Sequence, residues 1–310
     1  MKFLVTGGAG FIGSHIVDAL IKNGDKVKVI DDFSSGAREN LEGVSGRIEL
    51  TEGDIRDKAV VGNIMQGVDY VLHQAALRSV PKSLGNPKLY NDVNINGTLN
   101  ILTAARDAKV KRVVVASSSS IYGETDKLPE KEDFLPLLIS PYALTKLAAE
   151  YYCRIFSRIH GLETVNLRYF NVFGPRQSLE NEYAVVIPKF ITCMLKDESP
   201  PIHGDGKQTR DFTYVENVVQ ANIKAATTPG IKCEVFNIAC GKAYSVLDIV
   251  KYVNKILEKD IKPKLGPIRQ GDVKHTPADI SKARKLIKFE PKIGFEEGLV
   301  KAVEYFKENK

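Results

Sequence analysis

Residues 6–13 read TGGAGFIG, and this glycine-rich turn decides the fold. It follows an apolar run at 3–6 that we predict as a buried strand, and it opens a predicted helix over 11–22. Glycines are required in such a turn because a Cβ atom would keep the backbone away from a pyrophosphate. The helix start then offers free N–H groups and a partial positive charge. The turn in this context predicts a dinucleotide-binding site.

Acidic residues near the second and third predicted strands indicate which dinucleotide binds. Asp31 ends the second strand, 18 residues past Gly13, where a carboxylate can accept both adenosine ribose hydroxyls. Asp32 adds a second negative charge, and no arginine immediately follows the pair. Both features disfavour a 2′-phosphate, so we expect NAD rather than NADP. Asp54 is expected where the third strand meets adenine, or else it is an ordinary loop acid.

The first half of the chain alternates predicted strands with helices, which is typical of a parallel sheet covered on both faces. Further strands are predicted at 27–30, 47–50, 68–73, 113–116 and 165–169, and helices at about 94–108 and from Tyr142. We therefore expect an α/β, Rossmann-type doubly wound sheet with a smaller α/β lobe over the carboxyl ends of the strands. The predicted nucleotide-binding domain comprises 1–173 with about 211–240, and the smaller lobe comprises 174–210 and 241–310.

Composition excludes several other classes of protein. The net charge is +6 over 310 residues and no lysine or arginine run concentrates it, so nucleic acid is not an expected partner. The four cysteines and five histidines show no metal-ligand spacing, so no metal is expected. No apolar stretch is long enough to span a membrane. A cytoplasmic enzyme with reduced thiols fits these features.

Tyr142 and Lys146 form the first part of a predicted catalytic site, in the segment SPYALTK at 140–146. Four residues apart on a helix, they share one face. Ser140 is the predicted N-cap, and Pro141 suits the first helical position. An ammonium group and a positive nicotinamide near the phenol should lower its pKa toward neutrality. Tyr142 is therefore a candidate general base.

A serine-rich segment, VASSSSIYG at 115–123, closes the fifth strand and supplies the second part. Its hydroxyls would point into the crevice where α/β sheets bind ligands. They could hydrogen-bond the substrate oxygen that changes hybridisation. For Ser117 and Ser119, a polar turn without a chemical role is an equal alternative.

Four of these segments together resemble the extended short-chain dehydrogenases, specifically the UDP-hexose 4-epimerases. They are TGGAGFIG, SSSSIYG, SPYALTK and LRYFNVFGPR. Four more stretches are most similar to the UDP-N-acetylglucosamine 4-epimerase branch. They are VDYVLHQAALRSV at 68–80, YAVVIPKF at 183–190, GDGKQTRDFTYVEN at 204–217 and GDVKHTPADISKA at 271–283. The similarity covers nearly the whole chain.

The resemblance implies roles for individual residues. The implied catalytic residues are Ser118, Tyr142 and Lys146. The residues implied to bind NAD are Gly7, Gly10, Phe11, Ile12, Gly13, Asp31, Asp32, Phe33, Ser34, Ser35, Gly36, Asp54, Ile55, Gln74, Ala75, Ala76, Arg78, Asn94, Tyr142, Lys146 and Phe170. Those implied to bind a UDP-sugar are Ser79, Ser118, Ser119, Tyr142, Asn171, Val185, Val186, Phe190, Arg210, Arg269, Asp272 and Thr276.

The resemblance further implies a reaction and an assembly. We expect an NAD-dependent 4-epimerase that interconverts UDP-GlcNAc and UDP-GalNAc as well as UDP-Glc and UDP-Gal. The alternatives are a 4-epimerase restricted to UDP-Glc and UDP-Gal, or a UDP-glucuronate 4-epimerase. A homodimer is expected through the helices from Asn94 and Tyr142. Its apolar stripe would be Tyr151, Tyr152, Ile155 and Phe156, which could equally belong to the core.

Three observations weigh on the choice of reaction. Thr276 is small, and in the epimerases this position walls the pocket around the sugar's C2 substituent, although it could merely precede Pro277 in a turn. Ser119 and Ser120 stand where nucleotide-sugar dehydratases carry an Asp–Glu pair, which makes dehydration and decarboxylation unfavoured. A catalytically silent dinucleotide sensor would have lost the tyrosine or the lysine, and both are present.

Overall fold

The computed structural model describes residues 1–178, 186–267 and 274–309. Its strands are β1 (Lys2–Thr6), β2 (Lys26–Asp31), β3 (Ile48–Glu52), β4 (Tyr70–His73), β5 (Arg112–Ser118), β6 (Glu163–Tyr169), β7 (Val172–Phe173), β8 (Pro201–His203), β9 (Thr209–Asp211), β10 (Thr213–Tyr214), β11 (Glu234–Ile238), β12 (Ala243–Ser245), β13 (Lys264–Gly266) and β14 (His275–Thr276). Its α-helices are α1 (Phe11–Lys22), α2 (Lys58–Ile64), α3 (Val80–Gly85), α4 (Pro87–Asn91), α5 (Thr98–Asp107), α6 (Pro141–His160), α7 (Val186–Leu195), α8 (Val215–Thr227), α9 (Val246–Leu257), α10 (Ser281–Ile287) and α11 (Phe295–Glu308).

A parallel sheet is the central layer of the fold and confirms the predicted class. Within the described residues its seven strands follow the order β3-β2-β1-β4-β5-β6-β11. The strand order reverses between β1 and β4, where Val5 pairs with Leu72. In a doubly wound sheet, the crevice at such a switch point is where ligands bind. The topology therefore opens a site beside the turn that follows β1.

The sheet is covered on both faces because its central strands are largely apolar. In β1, Phe3, Leu4 and Val5 have no exposed surface. Phe3 and Val5 pack in one core with Ile16 and Val17 of α1, whereas Leu4 lies in another core on the opposite face. Because successive side chains of a strand point to opposite faces, each strand serves both cores.

A further apolar core forms from β7 and the elements that follow it. Phe173, Phe212 and Phe295 pack together in it, with ring centres 5.7 Å apart for Phe173 and Phe295. The small sheet β12-β9-β14 lies among these later elements. The chain returns to the large sheet through α8 and β11 before α9 begins. The division of the chain into the two domains stated above remains a prediction.

Most predicted elements are present with small changes at their ends. β2, β3, β5 and β6 each extend one or two residues beyond at least one predicted end. The helix predicted from Asn94 starts instead in a π-helical stretch, Asp92–Gly97, which α5 continues. None of the described helices has the length and apolarity needed to cross a membrane.

Candidate active site

A cleft of about 630 Å³ lies at the carboxyl ends of the strands, beside the switch point. It brings together the glycine turn, the serine-rich end of β5 and the start of α6. Most of the predicted site residues line it. They are Gly7, Gly10, Phe11, Ile12, Gly13, Asp31, Asp32, Ser34, Ser35, Asp54, Ile55, Gln74, Ala75, Ala76, Arg78, Ser79, Ser118, Ser119, Tyr142, Lys146, Asn171, Arg210 and Thr276.

Several residues predicted to bind NAD do not line the cleft. Asn94 is buried behind its wall, and its amide bonds the backbone of Leu77 and the hydroxyl of Thr145. It braces the wall rather than forming it. Phe170 is fully buried in the core. The ring of Phe33 lies under the guanidinium of Arg38, 4.1 Å from it.

Other predicted residues lie away from the cleft or outside the described residues. Gly36 packs so closely that a Cβ would lie 2.9 Å from a carboxylate oxygen of Asp31, which makes it a support of that carboxylate. Phe190 is buried in the core formed after β7, and Val186 packs against the same core. Val185, Arg269 and Asp272 lie outside the described residues, so their predicted roles are not examined by the structure.

The glycine turn is shaped for a diphosphate. Gly7 has a φ of +67°, and a Cβ there would lie 2.8 Å from the backbone nitrogen of Ala75. A Cβ on Gly13 would lie 2.0 Å from the carbonyl oxygen of Gly7. Gly10 is the N-cap of α1 and has no side chain to satisfy the first N–H groups of the helix. The chain therefore has a cradle that fits the pyrophosphate of NAD.

Asp31 is placed to receive the adenosine ribose. Its side chain is 7% exposed, and its two oxygens accept from the backbone N–H groups of Ala9 and Phe33 at 2.8 and 2.9 Å. Burial raises the pKa of Asp31, and those two hydrogen bonds oppose the rise. Each oxygen has a further lone pair, so the carboxylate can also accept from ribose hydroxyls. This arrangement fits NAD as well.

Two arginines near the adenosine end are each paired with an acid. Arg38, which covers the ring of Phe33, forms an ion pair with Glu52. Arg56 lies 2.6 Å from Asp54, and its hydrogen bonds are the main cause of a lowered Asp54 pKa. Asp54 thus lines the cleft while it is engaged by a neighbouring side chain. Its contact with adenine stays a prediction.

The start of α6 places Tyr142 and Lys146 as the sequence predicts. The Ser140 hydroxyl accepts from the backbone N–H of Ala143 at 3.1 Å, and proline occupies the first turn. Lys146 is buried, and its Nζ lies 5.9 Å from the centre of the Tyr142 ring. Nζ donates to the carbonyl oxygen of Ala116 at 2.9 Å. Burial lowers the pKa of Lys146 to about 8.

The pKa of Tyr142 departs from expectation. Burial raises it, while a hydrogen bond with Ser118 and the positive charge of Arg78 oppose the rise. The prediction of a pKa lowered toward neutrality counts the positive nicotinamide as well as the ammonium, so it stays a prediction; the protein's own groups alone raise the pKa. The reason is that desolvation penalises the phenolate in the cleft, and the Lys146 ammonium is directed to a backbone carbonyl.

The serines at the end of β5 have two different roles, because one supports the fold and the others lie at the cleft. Ser117 is buried and donates to a carboxylate oxygen of Glu150 at 2.5 Å. That carboxylate also holds Arg168 at 2.8 Å, so Ser117 belongs to a supporting network. Ser118 ends β5 beside Tyr142, and Ser119 lines the cleft in a 3-10 turn.

Several residues that line the cleft were not among the predicted site residues. They include Tyr169, Gln177 and Glu130, the last of which is only 1% exposed. Glu130 stands in the run LPEKED at 128–133, where four charged residues indicate a solvated loop. No sequence signal separates this buried acid from its exposed neighbours. Among the described residues, no cluster of histidine, cysteine and acidic side chains could hold a metal ion.

The chain is similar in sequence and fold to known enzymes. Residues 3–239 match the model of the NAD dependent epimerase/dehydratase family. A UDP-N-acetylglucosamine 4-epimerase from Methanobrevibacter ruminantium M1, solved with UDP-N-acetylmuramic acid, is 44% identical with a TM-score of 0.96, covering 100% of this chain and 99% of that chain. A UDP-glucose 4-epimerase from Thermotoga maritima, solved with UDP-glucose, is 40% identical with a TM-score of 0.95 and the same coverage.

A third similar structure is that of an enzyme named for an acidic sugar. A UDP-glucuronic acid 4-epimerase from Bacillus cereus, in complex with UDP-glucuronic acid and NAD, is 36% identical with a TM-score of 0.93, and all of both chains is covered. The fold and cleft define an NAD-dependent enzyme of the extended short-chain dehydrogenase class. The chain belongs to the NAD dependent epimerase/dehydratase family.

Proposed function

We propose that this enzyme epimerises UDP-hexoses at C4, and that it accepts UDP-GlcNAc and UDP-GalNAc as well as UDP-Glc and UDP-Gal. The observation that carries the proposal is the meeting of Ser118, Tyr142 and Lys146 beside a cradle for NAD in one cleft. These groups can abstract a proton from a secondary hydroxyl while the neighbouring site accepts a hydride. Relatives named as 4-epimerases support the same chemistry.

The proton transfer belongs to Tyr142 and Ser118. Tyr142 takes the proton of the sugar's 4-hydroxyl, and the Ser118 hydroxyl, hydrogen-bonded with Tyr142, holds the 4-oxygen. Lys146, fixed on the carbonyl of Ala116, keeps a positive charge near the phenol, 5.9 Å from the centre of its ring. Bound NAD would supply a positively charged nicotinamide ring and an acceptor for the hydride that leaves C4, which would be returned to the opposite face of the sugar.

The UDP group anchors the substrate while the hexose turns. Arg210 lines the cleft on β9 and can bind the diphosphate, to which its guanidinium geometry is suited. Binding energy placed on UDP is remote from the reacting carbon, so the 4-keto sugar can rotate without leaving. Tyr142 then returns the proton to the new 4-oxygen. The net reaction consumes no external oxidant.

Dehydration and decarboxylation are less favoured at this site. Ser119 and Ser120 both line the cleft directly after Ser118, and neither can act as a carboxylate acid or base. Elimination of water needs such an acid to protonate the departing hydroxyl. The neighbouring side chains therefore favour epimerisation over elimination.

Thr276 supports the acetamido substrates. It lines the cleft beside Arg210, with which it is paired in register between β14 and β9. A threonine here leaves room that a tyrosine would fill. The alternatives are restriction to UDP-Glc and UDP-Gal, or use of UDP-glucuronate, since relatives of each kind resemble this chain.

The α6 surface supports a homodimer. Leu144, Tyr151, Ile155 and Ile159 are 50%, 53%, 49% and 73% exposed, and their spacing puts them on one helical face. Two residues of the predicted stripe do not belong to it, because Phe156 is buried and Tyr152 packs against the core. An apolar face of this length on one helix is suited to pairing with a second copy. We also place the enzyme in the cytoplasm, which fits its four free cysteines.

The test is incubation of the purified protein with UDP-GlcNAc, UDP-Glc and UDP-glucuronate in separate reactions without added NAD. Products are separated by chromatography that resolves C4 epimers. We expect UDP-GalNAc and UDP-Gal to form, because the cofactor is regenerated in each turnover. Product from UDP-glucuronate alone would replace the proposed substrates by the acidic one, and product from none would refute the proposal.

A further inference from the structure

Four residues that line the cleft carry a buried side-chain polar atom without a hydrogen-bond partner among the described residues. The atoms are Ser120 Oγ, both carboxyl oxygens of Glu130, Gln177 Oε1 and Thr276 Oγ1. The four residues come from separate segments of the chain. Buried polar atoms are nearly always paired, because an unpaired one destabilises the fold. Four together indicate a surface that a polar ligand completes.

Glu130 is held firmly by its backbone. Its N–H donates to the carbonyl oxygen of Pro277 at 2.8 Å, and its own carbonyl accepts from Asp279 at 2.9 Å. The same carbonyl accepts from the amide of Asn237 at 2.9 Å. These bonds fix Glu130 against the segment that carries Thr276. The backbone of Glu130 is therefore fixed, and the residue lines the cleft beside the proposed C2 wall.

The charges around Glu130 are already engaged elsewhere. Arg168 is bound by Glu150 at 2.8 Å, and Asp211 accepts from the N–H groups of Cys240 and Gly241 at 2.9 and 2.8 Å. Arg210 donates to the carbonyl oxygen of Thr209 at 2.9 Å. Burial raises the pKa of Glu130 to about 8. The positive charges of Arg210 and Arg168 oppose this rise, and the negative charge of Asp211 adds to it. The carboxyl is thus mostly protonated at neutral pH.

We infer that Glu130 is a substrate-specificity residue whose carboxyl group hydrogen-bonds the acetamido group at C2 of a UDP-N-acetylhexosamine. This inference rests on the proposed function. A neutral carboxylic acid donates through its O–H and accepts through its carbonyl oxygen. An acetamido group has the complementary pair, an N–H and a carbonyl oxygen. A C2 hydroxyl of a plain hexose is a smaller partner and leaves part of the Glu130 carboxyl unpaired.

Contact with the diphosphate is the less favoured role for Glu130. A carboxyl beside an anionic group gains only as a donor and is repelled once it ionises. Arg210, in the same wall, is the group suited to the diphosphate. A purely structural role is also unfavoured, since no described group bonds the carboxyl. The two roles differ in which part of the substrate they affect, and this difference can be measured.

The experiment compares Glu130→Gln with Glu130→Met in the NAD-loaded protein. Calorimetry measures Kd for UDP-GlcNAc, UDP-Glc and UDP alone. The glutamine amide also donates and accepts, so Glu130→Gln should keep the parent preference for UDP-GlcNAc within about threefold. Glu130→Met should weaken UDP-GlcNAc by about 10- to 100-fold, in line with loss of a buried hydrogen-bond partner. UDP-Glc should change less, and UDP alone by under about threefold.

A pH profile separates Glu130 from the catalytic groups. The titration of Tyr142 and Lys146 affects every substrate alike. The ratio of KM for UDP-GlcNAc to KM for UDP-Glc therefore cancels their effect. Raising the pH through about 8 ionises Glu130, whose neighbouring charged groups are Arg210, Arg168 and Asp211. The ratio should therefore rise above pH 8 in the parent protein and stay flat in Glu130→Gln.

The outcomes distinguish this inference from the proposed function. Equal weakening of all three ligands by Glu130→Met, with normal thermal stability and NAD retention, would overturn the inference. The inference would also be overturned if the parent protein epimerises both sugars but its ratio of KM for UDP-GlcNAc to KM for UDP-Glc does not change above pH 8. A parent that turns over neither sugar, yet loses its tighter binding of UDP-GlcNAc in Glu130→Met, would refute the proposed function and leave the role of Glu130 intact.

Discussion

Lys146 and Tyr142 share one face of α6, yet Lys146 Nζ donates to the carbonyl oxygen of Ala116 at 2.9 Å and lies 5.9 Å from the centre of the Tyr142 ring. The ammonium therefore acts on the phenol through its charge and through its hold on the end of β5. Because burial raises the pKa of Tyr142, the charge placed around the phenol decides whether it can act as a base. The proposed mechanism therefore assigns proton transfer to the phenol oxygen of Tyr142.

Replacing Tyr142 by phenylalanine should abolish most turnover without disturbing binding. Only the ionisable oxygen is removed, and general acid–base groups contribute about 10² to 10⁴-fold. We expect kcat to fall by about 10²-fold or more with NAD and UDP affinity unchanged. Tyr90 supplies a matched control, since its ring centre lies 6.5 Å from that of Tyr142 and its hydroxyl bonds the backbone of Arg78. Tyr90→Phe should retain most activity. Near-parent kcat in Tyr142→Phe would remove the phenol from the mechanism.

Asp31→Ala should weaken NAD binding and narrow the preference for NAD over NADP. The variant loses both the acceptor for the ribose hydroxyls and the charge that repels a 2′-phosphate. Fluorescence titration of both cofactors measures the two effects. Asp32→Ala is the control, because Asp32 bonds the exposed Ser34 rather than the backbone of the glycine turn. If Asp31→Ala keeps its NAD affinity and Asp32→Ala loses it, the ribose contact has been assigned to the wrong acid.

The sequence predicts the fold and the catalytic helix because both rest on local patterns. Ser140, Pro141 and the spacing of Tyr142 and Lys146 describe one helix start, and the structure forms it. Asn94 could not be placed in the same way, since its amide bonds residues 17 and 51 positions from it in the chain. Glu130 escapes prediction for a related reason. Its burial depends on a long-range pairing with Pro277 and Asp279 that no periodicity within its charged run reveals.

The exposed face of α6 should be covered in a homodimer. Tyr151→Glu combined with Ile155→Glu places two charges on this apolar face, and burying an unpaired charge at an interface is unfavourable. Light scattering at micromolar concentration should show a dimer for the parent and a monomer for the double variant. Val300→Glu changes an exposed apolar residue on α11 and should leave the dimer intact. A monomeric parent would exclude the assembly.

Glu130 should make the fold less stable as the pH rises. Its pKa is about 8 in the folded state, well above the ordinary value for glutamate. The folded protein therefore binds this proton more strongly than the unfolded chain between about pH 4.5 and pH 8, and raising the pH across that window destabilises the fold. Glu130→Gln removes this titration. Between pH 5 and pH 8, the free energy of unfolding of the parent should therefore fall relative to that of Glu130→Gln by on the order of 2–4 kcal/mol. Parallel pH profiles from urea unfolding would contradict the raised pKa.

Thr276→Tyr should decide the choice between acetylated and plain sugars. Thr276 lies on β14, paired in register with Arg210 of β9, and both residues line the cleft. A tyrosine ring at this position would occupy space that an acetamido group needs, and overlap in an enclosed pocket is relieved only at a high cost. A C2 hydroxyl requires less room.

We therefore expect Thr276→Tyr to reduce kcat/KM for UDP-GlcNAc by about 10²-fold or more, while kcat/KM for UDP-Glc changes by less than about fivefold. Thr276→Ser is the matched control, because it keeps the hydroxyl and the small volume, and it should turn over both substrates. Equal losses with both sugars would indicate a general distortion of the β9–β14 wall. If the tyrosine variant converts UDP-GlcNAc at the parent rate, Thr276 does not limit the size of the C2 substituent, and the acetamido preference then depends on Glu130 alone.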